Sequence, residues 1–134
     1  MKLVSLQEDD GYRDVGHGQT SYNAVMFSPW TIVHVLTGIA SGAAGVPYMW
    51  GFVLHTLYEL CNRDVNAVAA WRRVSKYGSF QGDSDINTVG DTIAFMLGMY
   101  IAKKWSRGVF PNTPLVATAL ALAAVFVYQD LASP

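Results

Sequence analysis

The stretch Gly82-Asp83-Ser84-Asp85-Ile86-Asn87-Thr88-Val89-Gly90-Asp91 runs without a break into Thr92-Ile93-Ala94-Phe95-Met96-Leu97-Gly98-Met99-Tyr100-Ile101-Ala102. A helix turns about 100° per residue, so Asp83, Asn87 and Asp91, four apart, line one face of its opening turns. Two carboxylates and an amide therefore enter an apolar helix together. Ionisable groups at such depth need a partner, a cavity or an ion. The rest of the chain must fold so that other elements bring compensating groups to this face.

Composition names the solvent that makes the constraint severe. Hydrophobic residues make up 51% of the 134 positions and charged residues only 14%, an unusual balance for a small soluble domain and a natural one for a bilayer protein. The expected fold class is all-α, a polytopic membrane protein with a compact bundle of about four short transmembrane helices. A net charge of −1 leaves no basic footprint, which argues against nucleic acid as a partner. A lone cysteine, Cys61, rules out an internal disulfide framework and a cysteine-based metal motif.

Met1 to Asn23 is polar, with Glu8, Asp9, Asp10 and Asp14, and reads as a surface tail; it lacks the basic-then-apolar layout of a signal peptide. Residues 24–131 form a single helical domain. Ser28 can cap a helix with Pro29 in its first position, where a missing N–H costs nothing. A first span follows over about residues 30–46, close to the lower length limit, and places His34, Gly38 and Gly42 on one face. Gly38-xxx-Gly42 is the kind of small-residue pair that lets two helices approach closely in lipid. Pro47 resets the chain, and residues 48–61 make a second short helix on which His55 and Glu59, four apart, meet on one face. The connection 62–81 mixes Arg63, Arg72, Arg73 and Lys76 with Trp71, Tyr77 and Phe80, a pattern that suits the headgroup level.

The third span, 84–102, carries Gly90, Ala94, Gly98 and Ala102 at four-residue spacing, a seam that asks for a close neighbour. Asp83 or Ser84 caps it, since either side chain can accept from the free N–H groups of the first turn. Lys103, Lys104 and Arg107 then anchor its far end at an anionic headgroup layer. Residues 113–130 form an alanine-rich fourth span, whose open small-residue face, around Ala121, is a docking surface for a second copy or a larger membrane complex. With four crossings, Lys2, Arg13, Arg63, Arg72, Arg73 and Lys76 share one side against Lys103, Lys104 and Arg107, which favours cytoplasmic termini.

Trp30-Thr31-xx-His34-xxx-Gly38, His55-xxx-Glu59 and Gly82-Asp83-xxx-Asn87-xxx-Asp91-xxxxxx-Gly98 together resemble the small membrane proteins of the VanZ-like superfamily and the neighbouring DUF2585 group. The likeness covers about residues 27 to 102, and its last segment is the most specific part. It implies a compact helical membrane fold with converging polar residues. The VanZ branch is associated with low-level glycopeptide resistance and envelope lipids, and similar sequences occur in large DNA viruses. This chain departs from the pattern at His55, where the family has an acidic or small residue.

The sharpest expectation is that His34, His55, Glu59, Asn87 and Asp91, from three helices, meet in one polar cavity. Imidazole and carboxylate ligands suit a divalent ion such as Mn²⁺ or Zn²⁺, which can clamp a lipid phosphate and activate water. In that enzyme reading His55, Glu59 and Asp91 are catalytic, with His55 or Glu59 as general base, and Arg72, Arg73 and Lys76 hold the headgroup. The preferred reading is non-enzymatic: the same groups form a satisfied network in a lipid-interacting or assembly protein, with Gly38, Gly42, Asp83, Gly90 and Gly98 structural. A proton or ion path through an oligomer is the third class.

Overall fold

A computed structural model describes residues 25–63, Ala70 and 84–132. Within them the chain is all-α, with four helices and no strand: α1 Thr31–Ala43, α2 Tyr48–Arg63, α3 Asp85–Trp105 and α4 Thr113–Ala132. The tail 1–23, the cap candidate Asp83 and the headgroup candidates Arg72, Arg73 and Lys76 lie outside the described residues.

Local chemistry sets the helix ends. Ser28 Oγ accepts from the Trp30 N–H at 3.2 Å, while Thr31 Oγ1 accepts from the Ser28 N–H at 2.9 Å, a reciprocal cap in which threonine takes the place of the usual Glu or Gln. The first turn is wound tightly, with Thr31 N–H to Ser28 O and Val33 N–H to Trp30 O, so regular α-helix begins at Thr31 rather than at Pro29. At the other end the Gly45 N–H bonds Gly42 O and the Val46 N–H bonds Ser41 O. That pairing is a Schellman stop with Gly45 at φ +89°, a conformation that favours glycine. It ends α1 three residues before the expected 46. Ser84, not Asp83, is the observed cap of α3, its Oγ accepting from the Asn87 N–H at 3.2 Å. Asn112 Oδ1 caps α4 through the Leu115 N–H, and the Asn112 N–H ties this loop to Ala43 O at 2.7 Å.

α1 and α3 form the central pair and run parallel, as the facing positions Gly38–Phe95 and Gly42–Met99 show. α2 lies antiparallel on α3, with Gly51 against Met99 and His55 against Phe95, and touches α1 only thinly. α4 lies on α1, where Trp30 meets Phe126 edge-on at 6.0 Å. The small-residue seam does what its spacing predicts: Gly90, Ala94, Gly98 and Ala102 are all buried. A Cβ at Gly38 would overlap the Phe95 carbonyl oxygen, and one at Gly98 the Val35 carbonyl oxygen, so the two backbones are in direct contact. On α4, Ala119 and Ala123 are buried, whereas Ala117, Ala121 and Ala124 stay exposed.

The expected four helices are found among the described residues; that they cross a membrane is not supported. Among the described residues no helix is both long and apolar enough to cross a membrane. α1 has 13 residues and α2 has 16; α3 is longer, with 21, but carries Asp85, Asp91, Lys103 and Lys104. Beside an apolar core of Ala40, Ala43, Ala94, Phe95, Met99 and Ala102, the described residues nevertheless bury a polar cluster and expose large apolar side chains. Met49, Leu54, Leu97, Leu122 and Val125 are more than half exposed, while Glu59, Asn87 and Asp91 are at most 2% exposed.

Candidate metal centre

Three helices deliver the polar interior. His34 sits one turn into α1, opposite the level at which Asp91 occurs on α3, and Gly38 one turn further on lets the two backbones close in. α2 contributes His55 and, one turn later, Glu59. The geometry then separates the five sequence candidates into two ranks.

His34 Nδ1, His55 Nε2 and Glu59 Oε1 form a triangle with edges of 3.0, 3.4 and 3.4 Å. A metal ion about 2.0–2.1 Å from each of three such donors holds them roughly 3.0–3.4 Å apart, between octahedral and tetrahedral spacing. Two imidazoles and a carboxylate on one side of an ion, leaving coordination positions free, is a donor set used by catalytic zinc and non-haem iron sites. Glu59 is fully buried and His55 only 6% exposed. Glu59 Oε1 stands 3.4 Å from an imidazole nitrogen of each histidine.

Asp91 belongs to the next rank, not to the triangle. Its Oδ2 lies 3.4 Å from His34 Nε2, the ring nitrogen facing away from Glu59, and its Oδ1 accepts from Thr31 Oγ1 at 2.6 Å. His55 is held in the same manner, its Nδ1 lying 3.4 Å from Thr92 Oγ1, with the Phe95 ring stacked on it at 4.3 Å and 30°. Both imidazoles thus present one nitrogen to the triangle and the other to an anchoring oxygen, the arrangement that fixes ring orientation in histidine metal sites. Asn87 also falls outside the triangle: its backbone N–H bonds Ser84 Oγ, and its side-chain amide is buried one turn away from Asp91. Of the five expected ligands, only His34, His55 and Glu59 form the donor group; Asp91 instead meets Thr31 and His34 on α1.

Proton positions follow from donor counting. With no ion, one N–H must lie between His34 Nδ1 and His55 Nε2. If His55 supplies it, His34 keeps its own N–H at Nε2, facing the Asp91 carboxylate, and Thr92 donates to His55 Nδ1, while Glu59 Oε1 faces the lone pair of His34 Nδ1. A metal ion needs both inward lone pairs, so His55 must move its proton to Nδ1, where Thr92 turns from donor to acceptor. The hydroxyl is the one side-chain group that serves both states without moving.

Thr31 stands in the Trp30-Thr31-xx-His34 motif without a site role, and Thr92 and Phe95 carry no charged or imidazole group that would mark them. A signal was present: Thr31 stands three residues after the cap Ser28 and Thr92 directly follows Asp91.

No family model, curated protein or solved structure matches this chain.

Proposed function

We propose that this is a small integral membrane protein built around a divalent metal ion held by His34, His55 and Glu59. The observation that carries the reading is the 3.0, 3.4 and 3.4 Å donor triangle with both of its imidazoles anchored from behind. When bound, the ion supplies Lewis-acid polarisation of an oxygen ligand at its open positions. The protein's own part is to hold the imidazoles in one orientation through Asp91, Thr31 and Thr92 and to exclude water through Phe95.

Two features support a bilayer as the surroundings. Large apolar side chains are exposed on the outer surface of all four helices, far beyond the isolated patch of a typical soluble monomer. At the end of α3, Lys103 Nζ stands 5.1 Å over both the Tyr48 and Phe110 rings, and Lys104 Nζ 5.7 Å over Tyr100, a basic and aromatic collar of the headgroup type. Membrane lipids are the partners this surface fits. The resemblance to the VanZ-like and DUF2585 proteins points the same way.

Metal analysis and calorimetry on the purified full chain in detergent test the reading. One divalent ion per chain is expected, lost in His55→Ala and in Glu59→Gln. A wild-type chain that takes up no Mn²⁺, Zn²⁺, Co²⁺ or Fe²⁺ would leave the second reading, a satisfied interhelical network in a lipid-interacting or assembly protein. The direct His34–His55 and Thr31–Asp91 hydrogen bonds favour that alternative.

A further inference from the structure

The segment that leads into α1 is built into the back of the centre. The Ser28 N–H donates to Thr31 Oγ1 at 2.9 Å, the Thr31 hydroxyl donates to Asp91 Oδ1 at 2.6 Å, and Asp91 Oδ2 lies 3.4 Å from His34 Nε2. Backbone, hydroxyl, carboxylate and imidazole thus follow one another in a single line. It ends on the ring whose other nitrogen belongs to the donor triangle. A separate contact seats the same segment on α3: a Cβ at Gly90 would overlap the Met26 carbonyl oxygen, so the backbone of residue 26 rests directly on the helix one residue before Asp91. Ser28 and Asp91 are both buried, so water competes little for the groups along the line.

Resting on the metal reading above, we infer that occupancy of the metal site and docking of residues 26–28 on α3 are coupled, with Thr31 as the positioning residue that joins them. An ion takes the lone pair of His34 Nδ1 and thereby fixes the ring proton at Nε2, facing Asp91. Without the ion, the proton can instead sit at Nδ1 and leave a lone pair opposite the carboxylate. A carboxylate that accepts from His34 through Oδ2 is held with Oδ1 toward Thr31. The Thr31 hydroxyl, having given its one proton to Asp91, presents only lone pairs to the Ser28 N–H. Coupling of this kind is reciprocal: the factor by which the ion favours the docked segment is the factor by which docking raises affinity for the ion.

Hydrogen exchange followed by mass spectrometry on the full chain in detergent, with and without Zn²⁺, reads the coupling from the amides of residues 26–31, and calorimetry gives the Zn²⁺ affinity of each variant. In the wild type Zn²⁺ is expected to slow exchange of this segment about fivefold or more, the low end of coupling between sites. Thr31→Val keeps the shape and breaks the line. It should still bind Zn²⁺, with affinity lower by a similar factor, but the ion should no longer slow the segment. Thr31→Ser restores the hydroxyl and should restore the response. Ser28→Ala removes the Oγ that accepts from the Trp30 N–H and leaves the Ser28 N–H on Thr31, so it should weaken the cap while keeping the response to Zn²⁺, which separates coupling from loss of a cap. Slowing in Thr31→Val equal to that of wild type, or no slowing in a wild type that binds Zn²⁺, overturns the coupling and leaves the metal centre standing. A wild type that binds no Zn²⁺ overturns the coupling and, where Mn²⁺, Co²⁺ and Fe²⁺ also fail to bind, the metal centre with it.

Discussion

Each residue of the centre answers a need created by another. Glu59 brings a carboxyl group into a fully buried position, an imidazole nitrogen of each histidine lies 3.4 Å from it, and Asp91 and Thr92 hold the imidazoles. On the proposed metal reading, removing a ligand and removing an anchor should therefore differ in degree. Glu59→Gln keeps the shape and loses the charge, so metal affinity measured by calorimetry should fall by more than about 100-fold. Asp91→Asn should cost about 10–100-fold, the usual range for a group that orients a ligand. Thr31→Val, which removes the 2.6 Å donor to Asp91, should produce a smaller loss in the same direction. Thr92→Val removes the hydroxyl that exchanges roles with the His55 proton; its effect should appear in metal affinity while leaving stability without metal nearly unchanged, because the 3.4 Å contact is long. Equal metal affinity in wild type and Asp91→Asn would show that His34 is positioned by packing alone.

At the scale of the helices, the centre depends on how closely α1 and α3 approach. A Cβ at Gly38 meets the Phe95 backbone carbonyl, which cannot swing aside as a side chain would. Gly38→Ala should therefore push the helices apart, at a cost of about 3 kcal/mol or somewhat more in thermal unfolding. Because His34 lies one turn away, metal occupancy should fall with stability. Ser84→Ala is the contrasting case: loss of the α3 cap should cost about 1 kcal/mol with metal affinity preserved. Ala121→Leu on the exposed face of α4 should leave stability unchanged and lower any self-association or copurification.

At the scale of the whole molecule, the large apolar side chains exposed on the described helices argue for the surroundings more directly than helix length does. In phase separation with a nonionic detergent the chain should partition into the detergent phase. If the proposed bilayer reading holds, Leu97→Arg, on the exposed side of α3, should shift it toward the aqueous phase, since a charge at the centre of a lipid-facing helix costs about 2.5–3.5 kcal/mol. Wild-type chain recovered as an aqueous monomer would refute the bilayer reading while leaving the donor triangle intact.

Periodicity was enough to place the four helices of the described residues and the seam Gly90–Ala94–Gly98–Ala102, because side-chain direction along a helix follows from spacing alone. It also paired His55 with Glu59, which are neighbours on one helix, and grouped Asn87 with Asp91 for the same reason. Which of these meet across helices was decided only by the tertiary packing. α1 and α3 run parallel with their backbones in contact, which turns Asp91 to the back of His34, while the antiparallel α2 brings Glu59 to its front. Spacing cannot distinguish a ligand from an anchor, since both occupy the same helical face; the distance between faces and the direction of the neighbouring helix settle that.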